Sequence, residues 1–141
     1  MNVYEEDRYP FLREETSLLK KAIGLRIPIL GVCLGSQMIA KAAGARVVKS
    51  PKEEIGWFDV EFTQLGRSDR LLIGLPNQLE VFQWHGDMFD IPVGGGLLNS
   101  TFPAIENVLV AASQTDGVAV TSIIEQCTMR LQSVTPVPPV C

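Results

Sequence analysis

Between residues 12 and 23, Leu12, Leu19, Ala22 and Ile23 recur at helical spacing among mostly polar neighbours, which predicts an amphipathic helix. Pro10 stands just before it, Glu14 and Glu15 lie near its start, Lys20 and Lys21 near its end, and Gly24 follows, an order that suits the helix macrodipole and its caps. The run Ile27 to Val32 is apolar without alternation. That pattern predicts a strand covered on both faces in a parallel sheet, with Pro28 tolerated at its beginning. Leu34 to Ala43 then predicts a second helix, carrying the small residues Ala40, Ala42 and Ala43 and ending at Gly44. Helix, buried strand, turn and helix make an α/β unit.

The pattern changes period after Gly44. Arg46 to Lys49 and Gly56 to Thr63 predict strands, the second with Trp57, Asp59 and Glu61 on one side and Phe58, Val60 and Phe62 on the other, as in a half-solvated antiparallel element. Leu79 to Trp84 predicts another strand, with a polar turn at His85, Gly86 and Asp87, and Gly94 to Gly96 marks a loop. Beyond Ser100, Val108 to Ala112 and Val118 to Ile124 predict two short strands. Ser133 to Cys141 is rich in proline and reads as an extended tail.

Composition narrows the class. The chain has 141 residues, 46% apolar and 20% charged, enough for one globular core. Net charge is −4 and the basic residues are scattered, so neither a nucleic acid nor an anionic membrane is expected as partner. The longest apolar run is too short to span a bilayer, and the beginning of the chain is acidic where a signal peptide would be basic. A cytoplasmic protein is expected.

Three cysteines, Cys33, Cys127 and Cys141, have no paired or metal-like spacing, and one histidine accompanies them. Cys127 and Cys141 read as a buried small hydrophobe or part of a solvated tail. Cys33 differs because of its neighbours. Gly31-Val32-Cys33-Leu34-Gly35-Ser36-Gln37 sets a nucleophilic residue between two glycines, after an apolar run and before a helix. This is a nucleophile-elbow layout, in which a tight turn pushes the side chain outward. A thiol at a helix N-terminus meets the positive end of the dipole and unpaired N–H groups, which favour the thiolate, and the N–H of Leu34 is aimed where an oxyanion would form.

These residues resemble the class I (triad) glutamine amidotransferases, whose elbow reads Gly-x-Cys-x-Gly-x-Gln, and more closely the stand-alone members similar to the glutaminase part of GMP synthase. The resemblance runs through Tyr4-Glu-Glu-Asp7, Tyr9-Pro-Phe-Leu12, Ile27 to Gln37, Glu54-Ile-Gly-Trp57 and Phe82 to Pro92. It implies a flavodoxin-like three-layer α/β sandwich that hydrolyses glutamine to glutamate and ammonia without a cofactor. It further implies Cys33 as the nucleophile that forms a glutamyl thioester and the Leu34 N–H as an oxyanion donor. Gln37, His85 and Asp87 correspond to positions near the bound substrate, and Glu54 to Trp57 are assigned to packing beside it. The implied ligand is L-glutamine or a γ-glutamyl compound, and the implied partner an ammonia-accepting synthetase subunit or domain.

The chain also departs from that pattern. The family's base lies in a Phe-His-x-Glu segment near the C-terminus, yet the 41 residues after Ser100 hold no histidine. Residues 1–99 are therefore expected to form a partial amidotransferase domain and residues 100–141 a divergent segment. The family's opening strand and Gly-Gly-Pro loop, which supplies a second oxyanion donor, would precede the position of Met1. An internal methionine taken as the start and an altered frame after Ser100 would account for both ends. A divergent non-catalytic relative that binds or regulates is the alternative, and a cysteine hydrolase of another flavodoxin-like family is a third reading. As given, the site is expected to be impaired or inactive.

Overall fold

The computed structural model describes residues 1–70, 72–101 and 110–111. Helix α1 spans Phe11–Gly24 and buries Leu12 and Thr16, while Leu18 stays exposed. The mid-helix hydroxyl of Thr16 donates to Leu12 O at 2.7 Å, so its burial leaves no polar group unsatisfied. Helix α2, Leu34–Ala42, buries every residue from Ser36 to Ala40, and Gly44 (φ +88°) turns the chain out of it in the left-handed conformation that glycine adopts without strain. Val3, Leu12 and Met38 form the core between the helices and the N-terminal segment, with Tyr9, Leu19, Leu34 and Val47 packed on it. A fully buried leucine such as Leu12 contributes about 1.5–3 kcal/mol, which locks α1 onto α2.

The two predicted strands after Gly44 are one long strand, β1, Val47–Phe62. It pairs antiparallel with β2, Gln78–Phe89, with a register shift between Lys49 and Glu54. Pro51 lies in that shift, where its missing N–H breaks no ladder bond, and Ser50 Oγ, which donates to Lys52 O at 2.7 Å, closes the irregular turn. The expected alternation is present: Val60 and Phe62 are buried, while Trp57, Asp59 and Glu61 are exposed. After β1 the short helix α3, Gln64–Ser68, is capped by Thr63, whose hydroxyl accepts from Gly66 N–H at 3.1 Å. Strands β3 (Gly96–Leu97), β4 (Asn99–Thr101) and β5 (Val110–Ala111) follow. The described ladders form one sheet in the order β2-β1-β4 and a second pairing β3 with β5, all antiparallel. A second core of Phe62, Leu72 and Leu98, with Leu79 against it, closes the far end of the sheet.

The architecture is α/β, as the pattern predicts, with three differences. Residues 27–32 carry no strand, and Ile27, Leu30 and Val32 are 48%, 64% and 47% exposed. Apolarity marks a segment suited to burial, but a strand exists only where a neighbouring strand forms a ladder with it, and among the described residues the backbone bonds shown for this segment are local ones, Ile27 N–H to Ala22 O and Gly35 N–H to Val32 O. His85, Gly86 and Asp87 do not form a turn. They continue β2, because β1 reaches far enough to place Glu54 opposite His85 and Lys49 opposite Asp87. Helix α3 has too few residues to show a period and was not expected. Of Val108 to Ala112 only Val110–Ala111 is described, in β5; Val118 to Ile124 and the proline-rich tail lie outside the described residues.

Candidate active site

The elbow begins with a contact that admits only glycine. A Cβ on Gly31 would stand 2.5 Å from Ile39 Cδ1 and 2.6 and 2.7 Å from the carbonyl carbon and oxygen of Gly35. The backbone before Cys33 thus lies directly against the first turns of α2. Cys33 itself sits at φ +50°, ψ −113°, a strained conformation that L residues rarely adopt. Its carbonyl accepts from Ser36 N–H at 3.0 Å, Gln37 N–H at 3.2 Å and Ser36 Oγ at 2.6 Å, and Gly35 N–H bonds Val32 O at 2.9 Å. These bonds hold the turn in its strained geometry and use three of the first N–H groups of α2. The remaining one of that turn, on Leu34, is the donor adjacent to the thiol. Cys33 is half-buried and in no disulfide. Gly35, by contrast, has open space where a side chain would start.

The N-terminal segment forms the second wall. Lys41 on α2 donates to Val3 O at 2.6 Å and bonds the Glu6 carboxylate, tying residues 3–6 down beside the elbow. The Lys41 ammonium holds the Glu6 carboxyl below its usual range. Stabilisation from a depressed carboxyl is present above its ordinary pKa and is lost as pH falls through the lower, folded value, so acid loosens this tether. Further on, Tyr4 Oη donates to Asp87 Oδ1 at 2.9 Å. With its amide nitrogen turned to the same carboxylate, Asn2 donates to Asp87 Oδ2 at 2.9 Å.

The Tyr4 hydroxyl is pushed above its ordinary pKa of 10.0, first by desolvation and then by its hydrogen bond to Asp87. A raised pKa means stabilisation that is present below the unfolded value and lost as pH rises through the folded one. The contact between the N-terminal segment and β2 is therefore expected to release only above pH 10, where phenolate would face carboxylate. Stability against urea should fall over that alkaline range in the wild-type chain and stay flatter in Tyr4→Phe. Parallel curves for the two proteins would refute the link.

The third wall comes from the paired strands. Glu54 and His85 face each other across the ladder, with Glu54 Oε2 3.7 Å from His85 Nε2, and both side chains are largely buried. Gln83 Oε1 lies 2.9 Å from the same Nε2. Since a carbonyl oxygen only accepts, His85 Nε2–H is the donor to it.

The three walls enclose a cleft of about 340 Å³ lined by residues that include Cys33, Leu34, Gln37, His85 and Asp87, with Asn2 and Trp84 beside them. All five residues singled out from the sequence thus border one cavity, large enough for an amino-acid-sized ligand. The fold adds Asn2 to this lining and sets Glu54 and Tyr4 behind it, in contact with His85 and Asp87. Glu54 was assigned to packing, but its carboxylate points at His85, while Ile55 and Trp57 are 56% and 44% exposed. A charged residue at a core-facing strand position was the one signal in the sequence that pointed to it. Tyr4 had no signal beyond its place in the stretch Tyr4 to Asp7, and Asn2 had none. Cys127 and Cys141 lie outside the described residues, and among those described no group of three or more His, Cys, Asp or Glu side chains could hold a metal ion. No described helix is long and apolar enough to cross a membrane.

The pattern of the family described as glutamine amidotransferase class-I matches residues 5–127. The glutamine amidotransferase-like protein YfeJ of Salmonella typhimurium is 39% identical over 84 residues, covering 60% of this chain and 35% of that protein. A glutamine-hydrolysing GMP synthase of Thermosipho melanesiensis is 38% identical over 111 residues, covering 75% of this chain and 20% of the other. Among solved structures, a glutamine amidotransferase from Thermotoga maritima superposes with a TM-score of 0.68 at 41% identity, covering 76% of this chain and 46% of that one. The chain thus spans about a third or less of the length of these two relatives and under half of that solved chain.

Proposed function

Because the chain belongs to the class I glutamine amidotransferases, whose α/β sandwich it shares, we propose that its cleft binds L-glutamine or a related γ-glutamyl compound and that Cys33 is the attacking group. The thiolate adds to the side-chain amide carbon, the Leu34 N–H stabilises the oxyanion, and the C–N bond breaks as the nitrogen takes a proton, releasing ammonia and leaving a thioester. Water then cleaves the thioester to glutamate and regenerates the thiol. Gln37, His85 and Asp87 hold the amino-acid end of the substrate. The ammonia passes to an acceptor on a synthetase subunit or domain, in a cytoplasmic setting.

The observation that carries this reading is the strained backbone of Cys33, which presents a half-buried thiol at the head of α2 inside a cleft lined by polar groups. Strain of this kind, commonly about 1–3 kcal/mol, persists where the surrounding structure serves a site. A second reading also has support: the only histidine of the 141 residues is His85, so the chain as given would bind substrate without turning it over.

Limiting iodoacetamide with mass-spectrometric readout tests the proposal. Cys33 should alkylate faster than Cys127 and Cys141, glutamine should protect it, and Cys33→Ser should leave the urea midpoint close to that of the wild type. Faster labelling at either other cysteine, or a loss of several kcal/mol in the serine variant, would make Cys33 a structural residue. Protection without ammonia release would select binding over turnover.

A further inference from the structure

The face of β1 and β2 that turns inward buries Val60 and Val81 together with Glu54 and Gln83. A carboxylate there is costly unless a cation and hydrogen bonds compensate it, and a valine would fill a strand position at no such cost. Glu54 is 6% exposed, and its carboxylate faces the imidazole of His85, whose Nε2–H is shared with Gln83 Oε1. The ladder places these groups on one face, since Glu54 opposes His85 and Gly56 opposes Gln83, and Gly56 adds no side chain to the cluster. The one histidine of the chain thus donates to Gln83 on the core side, with the Glu54 carboxylate 3.7 Å from the same nitrogen, while it lines the Cys33 cleft. Positions where a local rule is broken are where function is expected.

We propose that Glu54 is a positioning residue of the cleft: with Gln83 it fixes the His85 ring and favours its charged form, so that an imidazolium stands in the cleft wall to meet an anionic group of the ligand. Glu54 does this through His85. The other titratable groups around the ring's surroundings are Glu53 on β1, whose side chain lies against Gly86, Asp87 on β2, Tyr4 of the N-terminal segment through Asp87, the Cys33 thiol at the head of α2, and Met1 at the cleft edge. Glu53 and Asp87 are both acidic and act in the same sense as Glu54, so a clean test changes Glu54 alone. That the anion is the carboxylate of glutamine rests on the proposed function; the link between Glu54 and His85 does not.

Because His85 is the only histidine, its ring protons can be followed by NMR in the full chain without assignment ambiguity. The pH at which they are half-shifted should fall by about one unit in Glu54→Gln, whereas Glu54→Asp should retain most of the wild-type value. An unchanged midpoint in a folded Glu54→Gln protein overturns the proposal. If that variant does not fold, the wild type decides: His85 should stay charged to higher pH in the folded chain than in urea, and the reverse order overturns the proposal. In a Cys33→Ser background, where no thioester forms, calorimetric titration with L-glutamine should show binding about tenfold weaker once Glu54 is also changed to Gln. Equal affinity overturns the positioning role. A shifted His85 titration with no glutamine binding even when Glu54 is present supports the Glu54–His85 link and refutes the proposed substrate instead.

Discussion

Given L-glutamine, the 141-residue chain should release ammonia far more slowly than about 1 per second, the low end of ordinary enzyme turnover. The elbow supplies a thiol at a helix head and one backbone donor, which in the proposed reaction attack and polarise the amide. Turnover also needs a base to take the thiol proton and return it to the leaving nitrogen. The chain holds one histidine, and that ring donates to Gln83 beside the Glu54 carboxylate in the wall of the cleft. Members of a catalytic triad act as a unit, and removing one from a hydrolase commonly costs on the order of 10⁴-fold or more in kcat. A coupled glutamate assay on the purified chain measures the rate directly. Turnover above about 1 per second that disappears in His85→Ala would show that His85 serves as the base, and would refute the assignment of that ring to the substrate end of the cleft. Turnover restored by a second polypeptide bearing a His-x-Glu segment would show the site to be divided between chains.

Gly31→Ala should destabilise the fold by about 1–3 kcal/mol, toward the upper end of what overpacking costs. The added methyl would meet Ile39 Cδ1 at 2.5 Å, which a rotamer change can relieve, and the Gly35 carbonyl carbon and oxygen at 2.6 and 2.7 Å, which it cannot. Relief requires α2 to move off the turn, and α2 carries Met38 into the core with Val3 and Leu12. The same substitution should therefore slow alkylation of Cys33, because the helix that presents the thiol shifts with it. Gly35→Ala is the control: nothing stands within 4 Å of its added methyl, and alanine suits a helix better by about 0.5–1 kcal/mol. Urea denaturation of the two variants, with equal losses in both, would show that Gly31 is not a packing constraint.

The elbow and both helices were legible because their signals are local. Period, capping residues and the spacing of glycines around Cys33 all lie within a few turns of chain, and α1 and α2 begin and end within one residue of the expected positions. The outward and inward sides of β1 from Trp57 to Phe62 were legible for the same reason, since alternation is a property of the strand itself. Residues 27–32 show where that reasoning stops. Their apolarity records an environment the segment is suited to, while strand formation depends on partners elsewhere in the chain or fold.

What the amino-acid sequence alone determined was the two helices around the elbow, the α/β class and the identity of the thiol with its flanking motifs. Tertiary structure decided which of these residues meet. The register of β1 against β2 turned an expected turn at His85 into strand and set Glu54 against the imidazole. The fold of the N-terminal segment brought Tyr4 to Asp87 across 83 positions of sequence. Neither contact has a local signature, because a long-range pair forms when the whole register and packing of two elements is most favourable. The two residues that finally touch contribute only a small part of that free energy.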